Sequence, residues 1–304
     1  MDLGISLPTS SPFASPEAII RIAQEAERLG YAAVWTYERL LYALGDIPQP
    51  GGPPRPLPEF YRSTYEPIET LSYVAARTER IKLGTSVIDA PFHVPVVLAR
   101  RFATLDRLSG GRVIAGLGQG WMEQEFITAN VSPKRRGAGV EELIMAMRAA
   151  WGPDPVSFNG RFYRIPLSEI NPKPVQEGGI PILLGVFSPA AIERAARIAD
   201  GLNPIPFSFE GLEDTINRFR SAAQAAGRDP STLKIMPRAN VPITAQPLPE
   251  SHRPFLGGSP AQIAQDLARV ERLGVDQVMF ADVASTTVDE AVRRMEELQA
   301  AVRG

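Results

Sequence analysis

The sequence predicts an α/β fold, a (βα)8 TIM barrel with loop insertions at the carboxyl-terminal face of its strands. Three observations carry that expectation: eight short apolar runs, a helical apolar spacing after each, and helix caps at regular intervals. The runs are residues 3–7, 33–36, 81–88, 113–117, 181–185, 202–205, 233–241 and 278–281. Runs that alternate with helices this densely argue parallel pairing, and eight of them favour closure over an open sheet.

The first helix starts behind Ser15-Pro16, places Ile19, Ile22, Ala26 and Leu29 on one face, and is stopped by Gly30. Ser188-Pro189 and Ser259-Pro260 repeat the hydroxyl cap followed by a first-turn proline. Ile263, Leu267, Val270 and Leu273 repeat the apolar face, and Thr287 with Glu290 reads as a capping box opening the last helix. Gly110-Gly111, Gly201, Gly227 and Gly274 are expected as left-handed residues just past helix ends.

Three stretches break the repeat. Residues 39–64 contain PQPGGPPRPLP, expected to hold neither ladder nor helix and to act as a lid or mobile loop. Residues 153–176 carry a hairpin signal, with arms 156–158 and 161–163 about Asn159-Gly160. Residues 237–258 are proline-rich. The first and third leave the carboxyl ends of strands two and seven, the face where barrel enzymes build their sites. No linker or low-complexity run divides the chain, so residues 1–304 are expected to form one domain.

Composition narrows the chemistry. Among 304 residues there are 32 basic and 34 acidic side chains, two histidines and no cysteine. Absent cysteine excludes disulfides, thiolate nucleophiles, iron–sulfur clusters and cysteine zinc sites, and two histidines make no metal centre expected. A net charge of −2 leaves no electrostatic footprint for nucleic acid or an acidic membrane. Neither a membrane-spanning run nor an export signal is visible, so a cytoplasmic protein is expected. Four lysines against 28 arginines disfavour Schiff-base chemistry, and no Gly-x-Ser-x-Gly motif supports a serine hydrolase. No carboxylate–histidine pairing is visible, which counts against a cofactor-free isomerase.

Three strand ends carry the candidates. Thr36-Tyr37-Glu38-Arg39 leaves strand two, where burial could perturb Glu38 or an arginine could pair with it. Gly116-Leu117-Gly118-Gln119-Gly120-Trp121 ends strand four, with glycines that let backbone approach a flat ring, or merely turn tightly. Gly185-Val186-Phe187-Ser188 runs into a helix start, an ordinary cap or an anion site built from free amides. His93, beside a helix start, reads as a capping or satisfied core group, and His252 as solvated.

These residues resemble the bacterial luciferase-like monooxygenase and deazaflavin (coenzyme F420)-dependent oxidoreductase superfamily. The resemblance rests on Tyr65-Glu66-Pro67-Ile68-Glu69-Thr70-Leu71, on Arg80-Ile81-Lys82-Leu83-Gly84-Thr85-Ser86-Val87, and on Thr104-Leu105-Asp106-Arg107-Leu108-Ser109-Gly110-Gly111-Arg112. Residues 116–121, Pro172-Lys173-Pro174-Val175-Gln176 and Ser188-Pro189 complete it. It implies a barrel that holds F420, or alternatively FMN, at the strand-end face. It also implies a cis peptide at Ser86-Val87 forming a bulge behind the cofactor ring, Gly118-Gln119-Gly120 along that ring, and Gly185 to Ser188 around its phosphate.

Two departures stand out. Glu38-Arg39 replaces the Asp-His pair of many relatives, and Arg39, which stays charged, could only donate hydrogen bonds or stabilise negative charge. Trp121 replaces an acidic residue of sugar-phosphate dehydrogenase relatives and, with Glu125, is expected in the substrate pocket. The resemblance thus implies hydride transfer between F420 and a small organic substrate, with Glu38 or Tyr37 as proton source and Arg39 as anchor. Its alternative is a two-component monooxygenase using oxygen and reduced FMN from a separate reductase. Relatives are commonly homodimers.

Overall fold

The computed structural model describes residues 1–49 and 52–303. Eight parallel strands run β1 (Asp2–Ser6), β2 (Ala33–Thr36), β3 (Lys82–Thr85, resuming at Ile88–Asp89), β4 (Val113–Gly118), β5 (Ile182–Leu184), β6 (Gly201–Leu202), β7 (Lys234–Ile235 and Arg238–Val241) and β8 (Gln277–Asp282). Each pairs with the next, and β8 pairs back onto β1, with Leu3 opposite Val278. Closure passes through Pro237. The first half of β7 pairs with β6 and the second half with β8.

The following helices are α1 (Pro16–Leu29), α2 (Pro67–Ala75), α3 (Pro95–Ser109), α4 (Glu123–Thr128), α5 (Ala138–Trp151), α6 (Pro189–Ile198), α7 (Phe209–Ala225), α8 (Pro260–Glu271) and α9 (Val288–Arg303). Ser15, Ser188 and Ser259 cap α1, α6 and α8 through their hydroxyls, and Ser259 with Gln262 completes a capping box. At α9 the box is offset: Glu290 N donates to Thr287 Oγ1, while the Glu290 carboxylate accepts from Thr286 N. Gly30, Gly110, Gly227 and Gly274 have positive φ, as expected of left-handed stops. Gly201 does not. Ala199 ends α6 in an extended conformation, and Gly201 lies in β6, where a Cβ would collide with the carbonyl of Lys234.

Side chains alternate cleanly across the barrel wall. Leu3, Ile5, Val34, Leu83, Ala115 and Phe280 face the helices in the main core. Trp35, Ala33, Leu183 and Met279 face inward and fill the lower lumen, with Trp35 Nε1 donating to Gln277 Oε1 at 2.9 Å. Gly4 and Gly84 make room for that indole, since a Cβ on either would strike it. Two positions further along the strands most inward residues are small, Ser6, Ser86, Gly116, Gly185, Asn203 and Ala281, while β2 and β7 place Tyr37 and Arg238 at that level. The lumen is therefore packed below and lined above mostly by small side chains.

Two insertions differ from expectation. Ile47–Gln49 and Gly52–Arg55 form an antiparallel ladder despite their prolines, Ile47 facing Arg55. The ladder pairs Ile47 with Arg55 and Gln49 with Gly52 around an irregularity in register, so the adjacent Pro53 and Pro54 fall where the ladder is interrupted. Residues 39–64 also carry a small core of their own, Ala43, Ile47 and Leu57 packed with Met122. The hairpin pairs Val156–Asn159 with Arg164–Ser168, so 161–163 belong to the turn rather than to an arm. The Glu142 carboxylate holds that turn by accepting the amides of Arg161, Phe162 and Tyr163.

Several of the family-like stretches prove to be braces. The buried Asp106 carboxylate accepts from Val175 N, Gln176 N and Gln176 Nε2. Buried Arg112 donates to the Ala75, Thr78, Ile81 and Ser109 carbonyls and to Thr78 Oγ1. No helix among the described residues is long and apolar enough to cross a membrane. Replacing Trp35 with alanine empties the lower lumen and should cost about 3–5 kcal/mol, read as a lowered urea midpoint at an unchanged slope.

Candidate active site

The mouth is shaped by β3. Its ladder breaks at Ser86-Val87, whose peptide bond is cis, and resumes at Ile88. Ser86 N donates to the Thr36 carbonyl and Glu38 N to the Val87 carbonyl, so the break is stitched to the exit of β2. Glycines on neighbouring strands accommodate it. A Cβ on Gly116 would meet the Thr85 carbonyl, one on Gly118 the Val87 side chain, and one on Gly185 would lie 3.1 Å from Val87. Glycine at 116, 118 and 185 thus serves the fit of this bulge. Gly120 serves another need. Its φ is +69°, and a Cβ there would come within 3.0 Å of Phe126 and Phe92.

Tyr37, Glu38 and Arg39 leave β2 together but take different partners. Glu38 is buried; one oxygen accepts from Asp89 N at 2.8 Å and the other lies 2.8 Å from His93 Nε2. A carboxylate–histidine pair therefore exists, contrary to the sequence expectation, and it spans two different strand exits. His252, by contrast, is exposed. Arg39 does not pair with Glu38. It binds Glu125 Oε2 at 2.8 Å and lies 5.2 Å from the Tyr61 ring and 5.4 Å from that of Trp121. Glu125 also accepts from Leu40 N and is fully buried, so it braces the 39–64 insertion instead of lining an open pocket. Arg39 spends its charge on the same brace.

Tyr37 hydrogen-bonds Ser10, and burial pushes its hydroxyl up to about 12, so it remains protonated at neutral pH. Burial, with the Glu38 and Glu125 charges adding to it, pushes Asp89 up to about 7 even though Asp89 accepts from Gly120 N at 3.0 Å. Burial likewise raises Glu125. One wall of the mouth thus holds three buried acids answered by Arg39 and His93.

The opposite sector is built from β5 to β7. Ser86 Oγ bonds Asn203 Oδ1 at 2.5 Å across the lumen, and Asn203 Nδ2 donates to the Met236 carbonyl. At the start of α6, the Ser188 hydroxyl accepts from Ala191 N and Gly185 N from the strand is spent on Leu117. The amides of Val186, Phe187, Ser188 and Ala190 find no protein acceptor among the described residues. They are free donors at a helix start, beside an exposed Phe187. Asp89, His93, Asn203 and Arg238 were missed as site residues in the sequence. Asp89 ends β3 and His93 follows one short turn later, and Arg238 sits at an inward position of β7, signals of the kind that mark Tyr37 to Arg39.

The chain belongs to the luciferase-like monooxygenase family, whose model matches residues 1–248. An uncharacterised Mycobacterium tuberculosis protein is 33% identical over 244 residues, 79% of this chain and 77% of its own. The F420-dependent glucose-6-phosphate dehydrogenase of Nocardia farcinica is 36% identical over 58% of this chain and 54% of its own length. The FMNH(2)-dependent dimethylsulfone monooxygenase of Pseudomonas putida is 29% identical over 68% and 53%. Among solved structures, monooxygenase RslO1 from Streptomyces bottropensis superposes with a TM-score of 0.82 at 23% identity, over 100% of this chain and 99% of that one. The coenzyme F420-dependent tetrahydromethanopterin reductase of Methanopyrus kandleri gives 0.78 at 18%, over 99% and 98%. The barrel is that of luciferase-like and F420-dependent enzymes.

The Asp89 carboxyl makes stability pH-dependent. The folded protein keeps this proton up to about pH 7, whereas the unfolded chain releases it near roughly pH 4, so stability falls as pH rises between them. Asp89→Asn should flatten that fall, seen as a urea midpoint that drops less between about pH 4.5 and 7.5 in the variant than in wild type.

Proposed function

We propose that residues 1–304 form one catalytic unit, an oxidoreductase that binds coenzyme F420 in the barrel mouth and reduces a small organic substrate. The observation that carries this reading is a mouth floored by small inward residues and flanked by four unpartnered amides at the start of α6. The floor suits a planar ring and the amides suit its phosphate. The Nocardia relative supports F420.

When bound, F420 supplies a two-electron hydride carrier. The residues of the chain do the rest. Ser86 and Val87 back the ring, Gly118, Gln119 and Gly120 border it, and Gly185 to Ser188 hold the phosphate. Trp121 walls the substrate side. Tyr37 keeps its hydroxyl proton at neutral pH, and Glu38 with His93 holds a second exchangeable proton at Nε2 or Oε1. Arg39 and Glu125 fix the 39–64 insertion over the mouth, where it excludes water. Holding two reactants in place can supply roughly 7–11 kcal/mol of a barrier. A cytoplasmic homodimer belongs to the same reading.

A second reading, an FMN-dependent monooxygenase fed by a separate reductase, is supported by the Pseudomonas relative. Oxygen uptake distinguishes the two. With reduced F420 the electrode should stay flat, and rapid uptake with reduced FMN would decide for the monooxygenase. Ser188→Asp tests the phosphate cradle. Aspartate caps a helix as well as serine, so α6 should persist while cofactor affinity drops by about ten-fold or more through charge repulsion, measured by fluorescence titration.

A further inference from the structure

We infer that Arg238 is an anion-binding group in the floor of the mouth, and that the ligand above it carries or gains negative charge. Arg238 lies on the inward face of β7, two positions above Met236 of the lumen cluster and two below the exposed Asn240. Its Nη1 donates across the barrel to the Ser86 carbonyl at 2.7 Å, and its Nε donates to Asn240 Oδ1 at 2.7 Å. The guanidinium carbon stands 5.0 Å from the centre of the Tyr37 ring. The residue is 8% exposed.

Two arginines are buried among the described residues, and they differ in one respect. Arg112 places every guanidinium nitrogen on a carbonyl or hydroxyl oxygen. Among the described residues Arg238 has no oxygen acceptor for Nη2 and no carboxylate within ion-pair distance. The buried acids of the mouth are engaged elsewhere: Glu38 with His93, Glu125 with Arg39, and Asp89 with the Gly120 amide. A cation withdrawn from water without a counter-charge is unfavourable, and a guanidinium fork matches a planar anion. Its inward neighbours at the same level, Ser86, Asn203 and Ala281, are small or uncharged, so none supplies that counter-charge.

Two sources share this chemistry: a tricyclic cofactor ring that gains negative charge when it accepts a hydride, and a substrate bearing a carboxylate. Only the first rests on the function proposed above. The test titrates wild type, Arg238→Met and Asn240→Asp with FMN and F420, each oxidised and anaerobically reduced, and with benzoate, following protein fluorescence. Asn240→Asp sets a carboxylate against Nε while keeping the arginine, and its exposed position preserves folding where Arg238→Met fails.

Both variants should lose about ten-fold or more in affinity for a reduced cofactor or for benzoate, with oxidised cofactor changed by less than about three-fold. Selective loss of the reduced cofactor identifies the ring as the anion, and loss of benzoate alone identifies the substrate. Equal effects on oxidised and reduced forms with benzoate untouched, or no effect on any anion, overturn the inference. Wild type that binds benzoate through Arg238 but neither cofactor would overturn the proposed function and leave the inference standing.

Discussion

The size of the inward-facing side chains governs this molecule. Below the midline of the barrel, Trp35 and its neighbours fill the lumen; above it, serine, glycine, asparagine and alanine face inward beside Tyr37 and Arg238. A closed parallel barrel cannot leave its lower lumen empty without losing the burial that holds eight strands together. It can line the upper lumen mostly with small side chains only where the chain stays rigid without larger ones to fill it. Here that rigidity comes from the Ser86-Val87 bulge seated in the notches at Gly116, Gly118 and Gly185, and from hydrogen bonds that cross the lumen to Asn203 and Arg238.

The charges in the mouth are separated. Acids cluster where β2, β3 and β4 end, and each has a local partner that confines it: a histidine, an arginine, a backbone amide. The arginine of β7 stands apart, with no carboxylate partner among the described residues. A flat molecule laid between them meets proton-bearing groups on one side and fixed positive charge beneath. On the function proposed above, this division would orient the ligand, and the polypeptide would act by positioning chemistry carried by what it binds.

Much of the framework is legible in the sequence because it is written in local terms. Residues 33–36 form β2 as expected, and the serine caps and left-handed glycines act within a few residues of themselves. Gly201 misleads because glycine after a helix serves equally well for close strand approach, and the carbonyl of Lys234 lies 33 residues downstream. Pro48, Pro53 and Pro54 conceal a ribbon because its ladder is irregular where they stand. The mouth is less legible. Glu38 meets His93 across 55 positions, Arg39 meets Glu125 across 86, and Arg238 meets Ser86 across 152. Such contacts depend on where the β3 bulge and the 39–64 insertion set the backbone, and neither residue type nor spacing encodes that placement.

Crystallographic density after soaking with F420 or FMN tests the account most directly. It requires a planar ring resting against residues 86 and 87 above the β7 guanidinium, with a phosphate at the first turn of α6. A mouth closed by its own side chains, or a ring bound outside the barrel, would contradict it.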